Sequence, residues 1–246
     1  MKSLLNLTAV AAAAASFPLL AQGAVVTNTN TLPANTVIDL TGFPSVGTGT
    51  GVQARWRNGG GDVRGAVQTL TWNTTDALSA YGLQFDESQG SFDPFNQSHQ
   101  YVIDVQLLNT TGTLDAVVST VASETITIEA ADVAPSGSGS PSYLLIDFDA
   151  DIPLVQGESY AFHLYPAAAQ PNPVNQRLYF AQTDTSNPYA GGFGNQTNAA
   201  PRATGGDFGR QDYELGAFAV AVPEPTSLAL VGIGGLALLQ RRRARG

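Results

Sequence analysis

Two histidines, a strand-spaced row of aspartates and a few aromatic side chains are the residues of this chain whose types and spacing bear on chemistry. His99 and His163, its only histidines, stand 64 positions apart, and neither belongs to a metal-ligand pair or to a nucleophile motif such as Gly-x-Ser-x-Gly. No residue is therefore assigned a catalytic role. Glycoside hydrolysis needs two carboxyl groups roughly 5 to 9.5 Å apart across a sugar cleft. Among 19 acids between residues 24 and 222 some pair meets that distance by chance, which makes a secreted glycoside hydrolase a distant alternative.

Asp147, Asp149 and Asp151 form the best metal candidate, because Ca2+ prefers carboxylate oxygens. Side chains two apart on one strand face are about 6.6 Å from each other, too far for one strand to chelate an ion whose bonds are about 2.3 to 2.6 Å. A loop or a neighbouring strand has to complete such a site, and the central glycine and closing glutamate of an EF-hand loop are missing. No other cofactor is expected. For sugar binding the chemistry required is an exposed aromatic platform with a polar rim. Trp56, flanked by Arg55 and Arg57, and the aromatics Tyr189 and Phe193 are the candidate glycan contacts. The latter two lie in a Gly/Asn-rich stretch from Ser186 to Gly209 that reads as a long loop, and long loops in compact domains are functional or mobile.

The elements that must position these residues are short β-rich runs separated by turn residues. The expected strands are Thr36 to Leu40, Gly65 to Trp72, Ala80 to Asp86, Gln100 to Leu108, Glu124 to Ala130, Ser142 to Ile152, Ser159 to Tyr165, Leu178 to Thr183 and Tyr213 to Ala221, eight or nine in all. Leu144, Ile146, Phe148, Ala150 and Ile152 share one face of their run, and Tyr143, Leu145 and the three aspartates share the other. Leu114 to Ala122 is the one ambiguous stretch. Many strands without intervening helices predict an all-β fold in which two antiparallel sheets pack face to face, a β-sandwich of jelly-roll or Greek-key type.

The chain contains no cysteine, which excludes a disulfide framework and thiolate chemistry. Between residues 24 and 222 there are 19 acids and six arginines with no lysine, a net charge of −13. Such a body lacks the basic footprint of a nucleic-acid binder.

The last 24 residues have a different character. Pro223-Glu224-Pro225 is followed by an apolar run from Leu228 to Leu239 and then by Arg241, Arg242, Arg243 and Arg245. An uncharged apolar run closed by arginines predicts a membrane segment with its basic end anchored on the cytoplasmic side. Thr226 to Gln240 would span roughly 22 Å as a helix, short of a hydrocarbon core of roughly 30 Å, which fits a removable tail better than a permanent anchor. The order of motif, short apolar helix and arginine cluster resembles the PEP-CTERM family of exported proteins of Gram-negative bacteria. The resemblance covers 223–246 and implies exosortase as the processing partner, with Pro223, Glu224 and Pro225 as substrate residues. It also implies an association with exopolysaccharide or biofilm. With Ala66 to Trp72 as an opening strand and Val155 to Phe162 as a turn and late strand, the order of the runs further resembles the β-sandwich domains of other PEP-CTERM proteins, which are similar to carbohydrate-binding modules.

Met1-Lys2, an apolar alanine-rich Leu4 to Leu20 and Ala21-Gln22-Gly23 read as a Sec signal peptide, implying the Sec translocon and signal peptidase as partners. The expected organisation is a signal at 1–23, an exported β-sandwich at 24–222 and a sorting tail at 223–246. The expected product is non-enzymatic: it anchors transiently in the inner membrane, then acts as a structural or adhesive component of the cell surface or extracellular matrix. A carbohydrate-binding module that contacts extracellular polysaccharide is the second reading.

Overall fold

The computed structural model describes residues 23–41, 52–56, 63–86, 97–109, 116–133, 141–168, 176–182, 192–198, 204–206, 208 and 214–223. The described chain is all-β. Its twelve strands are β1 (Val25–Thr29), β2 (Thr36–Asp39), β3 (Val52–Trp56), β4 (Arg64–Thr71), β5 (Ala77–Gln84), β6 (His99–Asn109), β7 (Ala116–Ile128), β8 (Tyr143–Ile152), β9 (Ser159–Pro166), β10 (Gln176–Phe180), β11 (Gly194–Asn198) and β12 (Ala217–Val222). The single helical turn among the described residues is the 3-10 turn Ala130–Asp132.

The strands form two antiparallel sheets. The five-stranded sheet has the order β1-β8-β5-β12-β2, and the seven-stranded sheet runs β10-β3-β4-β9-β6-β7 with β11 paired to β4. Strand side chains alternate between faces, and here the inner faces of both sheets enter one core. Leu83, Leu144, Ile146 and Ala219 come from the first sheet, and Leu70, Ile103, Ile126, Phe162 and Leu178 from the second. A Phe85–Phe180 bridge, with rings 5.8 Å apart, joins the sheets where β5 ends.

Each expected strand run overlaps a strand of the structure, while β1, β3 and β11 were not anticipated. β11, Gly-Asn-Gln-Thr-Asn, has no apolar residue to alternate. It is a strand because β4 supplies its ladder partners, from Gly194↔Gln68 to Asn198↔Arg64. The ambiguous stretch is the first half of β7. Its register with β6 skips Val121 between Ala122 and Thr120, and Val118 between Ser119 and Val117. Each skipped residue is a β-bulge that resets the alternation, so neither helical nor strand period survives in the sequence. Both bulged valines are exposed on the edge strand, where bulges also discourage pairing with another chain.

Candidate functional site

The sorting residues begin where the fold ends. β12 lies between β5 and β2, so it is an interior strand of the first sheet. A register shift between Val220 and Ala221 separates its last two residues from the rest. Past that bulge, Ala221 and Val222 pair with Leu78 and Ala77 on β5, and the Ala221 amide donates to the Asn35 carbonyl at 3.1 Å on the other side. Ala221 is buried and Pro223, immediately after the strand, is exposed. No spacer separates the folded sheet from Pro223.

A second constellation lies on the outer face of the seven-stranded sheet. Asp104 on β6 and His163 on β9 are direct cross-strand partners, and the Tyr165 hydroxyl donates to Asp104 Oδ2 at 3.0 Å. Burial first, then the Asp104 charge and this hydrogen bond, push the Tyr165 phenol above its ordinary pKa. His163 Nε2 shares a 2.6 Å hydrogen bond with Thr197 Oγ1 of β11, and the ring lies over Gly65, where a Cβ would stand 2.7 Å from Nε2. A strap covers the group. The Gly205 amide donates to the Val117 carbonyl at 2.7 Å, and the Val117 amide donates to the Gly206 carbonyl at 2.9 Å. Phe208 then packs edge-on against His163 at 5.2 Å and accepts a hydrogen bond from Asn195 Nδ2 on its carbonyl. Val67, Leu108, Val117, Ala161, Phe193 and Phe208 form the apolar part of this layer. Asp104, His163, Tyr165 and Thr197 are chemically capable side chains, and all four are buried from solvent.

A third feature is a line of arginines. Arg177 of β10 faces Arg55 of β3 in the ladder, and Arg55 is also the residue through which β3 meets β4, at Arg64. Like charges in direct register destabilise a sheet unless other groups offset them. Tyr179 accepts from Arg177 at 3.2 Å and Gln196 Oε1 accepts from Arg64 at 2.6 Å.

The residues singled out from sequence are placed as follows. Trp56 ends β3 opposite Gln176. Phe193 is 4% exposed and packed under the strap, which corrects its reading as a surface contact: its amide and carbonyl both pair with Thr69, drawing the ring into the outer layer. Tyr189 lies outside the described residues, as do Glu224, Pro225 and Arg241, Arg242, Arg243 and Arg245. Asp147, Asp149 and Asp151 are exposed on the outer face of β8. Among the described residues no group of three or more His, Cys, Asp or Glu is arranged to hold a metal ion. His99 and His163 are both buried.

Sequence reasoning missed Asp104, Tyr165 and Thr197, and it took the strap for a plain loop. One signal was present: Asp104, Gln106 and His163 interrupt otherwise apolar strands, the pattern of an outer face that something else must cover. The expected membrane helix, 226–240, falls outside the described residues, and among those described no helix is long and apolar enough to cross a membrane.

Comparison with curated proteins gives no match. The family model of the PEP-CTERM protein-sorting motif matches residues 221–243, starting on the last two residues of β12. The chain thus carries a PEP-CTERM sorting signal, which makes it an exported protein that passes through a membrane-anchored stage and is sorted by exosortase.

Proposed function

We propose that residues 24–222 form one exported, non-enzymatic β-sandwich of jelly-roll or Greek-key type that serves as a structural or adhesive component of the cell surface or extracellular matrix. The sandwich reading is supported by the chain crossing between sheets from β4 to β5 to β6 and from β7 to β8 to β9. The observation that carries the role is a sorting motif attached directly to an all-β body whose two histidines are both at 0% exposure, out of a substrate's reach. Deleting the body while keeping signal and tail is expected to reduce cell–cell or cell–matrix cohesion, with the body itself found in the surface or matrix fraction. A body recovered only as free soluble protein, with cohesion unchanged by the deletion, defeats this reading.

Binding of an acidic glycan is the second reading, supported by the Arg177–Arg55–Arg64 line across β10, β3 and β4. Guanidinium groups pair well with carboxylates, often with two parallel hydrogen bonds. Each arginine also has other partners within the chain, so a ligand competes with them. Uronate-containing oligosaccharides on a glycan array, bound by wild type and lost in Arg64→Ala and Arg177→Ala, are the expected result for this reading. Equal signals from all three proteins oppose it.

A further inference from the structure

We propose that the folded body controls removal of its own tail, because the enzyme's contacts on the N-terminal side of the motif become available only when the end of β12 leaves its sheet. The inference rests on the exosortase reading of the motif and adds a structural gate to it.

Enzymes that cut peptide chains take hold of an extended segment on both sides of the cut, using main-chain hydrogen bonds of the kind that add a strand to a sheet. In this protein the N-terminal side of that segment is already spoken for. Ala217–Val222 pairs with β5 along its whole length, and Phe218–Val220 also pair with β2 on the other side, so the backbone of the strand is held within the sheet. The matched motif begins at residue 221, inside the strand. With the fold intact, the first exposed residue is Pro223, and a proline offers no amide to an enzyme.

The sheet also shows how the gate opens. The bulge between Val220 and Ala221 breaks the regular ladder just before the last two residues. What holds those two is the Leu78 and Ala77 pairing on one side and a single amide bond to Asn35 on the other. Strand ends open locally at far lower free energy than the whole domain. Fraying of Ala221 and Val222 frees a short extended segment ahead of Pro223 while Ala217–Val220 keep β12 in place. Cutting on the C-terminal side of Val222 then leaves every strand of the body whole.

The gate is tested by pulse-chase of the full-length protein in cells that contain an exosortase, with the C-terminal mass measured on the product. A six-residue Gly-Ser insertion between Val222 and Pro223 gives the enzyme a free segment, and tail removal is expected to become at least threefold faster. The double substitution A77C/V222C pins the strand end. Antiparallel cross-strand Cα atoms are about 4.5 to 5.5 Å apart, within the range a disulfide spans, and the exported compartment is oxidising. Tail removal is expected to slow at least tenfold in that variant, with each single substitution matching wild type. Wild-type rates in both the linker and the cross-linked proteins overturn the gate and leave the sorting reading standing. Retention of the full tail by wild type and linker variant alike overturns both.

Discussion

Tyr81 of β5 stacks on Phe162 of β9, with ring centroids 4.5 Å apart and planes 17° from parallel, and the two sheets meet through this pair. Both rings are buried, yet among the described residues the Tyr81 hydroxyl has no hydrogen-bond partner, and burial raises its pKa well above the ordinary phenol value. A buried hydroxyl without a partner costs about 1 to 3 kcal/mol in desolvation. Tyr81→Phe keeps the stack and removes the hydroxyl, so it is expected to stabilise the fold by about 1 kcal/mol in urea unfolding. Tyr101→Phe is expected to act in the same direction, since its hydroxyl is also buried without a partner among the described residues. Phe162→Ala is expected to cost about 3 to 5 kcal/mol through the cavity it opens. A loss of stability in Tyr81→Phe would show that the hydroxyl is satisfied after all.

Glu124 ties the two sheets at their margin. Its carboxylate accepts from the Asp149 amide at 3.4 Å and also from the Ala24 amide, reaching from β7 to β8 and to the start of β1. Partial burial raises its pKa, the two amide bonds oppose that, and the nearby Asp149 charge adds to the rise. An acid whose pKa is raised on folding favours the protonated state. Its burden on stability is therefore absent below the unfolded value and grows as pH climbs through the folded one. Glu124→Gln removes the charge and keeps an acceptor, so it is expected to raise stability at pH 7 by less than about 1 kcal/mol, because the group is only partly buried and solvent still screens its charge. At pH 3 the difference from wild type is expected to vanish. Thermal melts at the two pH values decide, and a destabilised Glu124→Gln at pH 7 refutes the sign.

The strap over His163 supplies a third expectation. Phe208→Ala removes the edge-on ring contact and empties the outer apolar layer, a truncation expected to cost about 3 kcal/mol. Thr197→Val deletes the hydroxyl bonded to His163 at similar volume and is expected to cost about 1 to 2 kcal/mol. If the strap is a separate layer, limited proteolysis of Phe208→Ala cuts near residues 204–208 well before the sheets unfold. Simultaneous loss of strap and sheets would make the strap part of the core instead.

The aspartate row of β8 gives a fourth. The side chains of Asp147, Asp149 and Asp151 are exposed and follow one another at about 6.6 Å, and a ligand that binds only the folded state must stabilise it. Added Ca2+ is expected to move the melting temperature by no more than about 1 °C beyond Mg2+ at equal ionic strength, the effect of screening alone. A Ca2+-specific rise of several degrees, abolished by Asp149→Asn, would establish a closed site there.

The sequence by itself determined the class of the fold and the address of the protein. Period-two alternation in β6, β7 and β8 is a local property, written into consecutive residues, and it located those strands and the inner face of β8. The sorting motif is equally local, since an enzyme reads it as a linear segment, and its residues were legible before any fold was known. Tertiary structure decided everything that depends on partners distant in the chain. β11 is a strand only because β4 lies beside it, 128 positions away by the Asn195↔Val67 pairing, rather than by any preference of its own for the extended state. Phe193 is interior because Thr69 holds its backbone, although its neighbours read as loop. Asp104, His163, Tyr165 and Thr197 come from three strands and meet only once those strands are in register. The same holds for the tail: Pro223-Glu224-Pro225 was visible in the sequence, but that it follows an interior strand without a spacer is a consequence of β12 pairing on both sides.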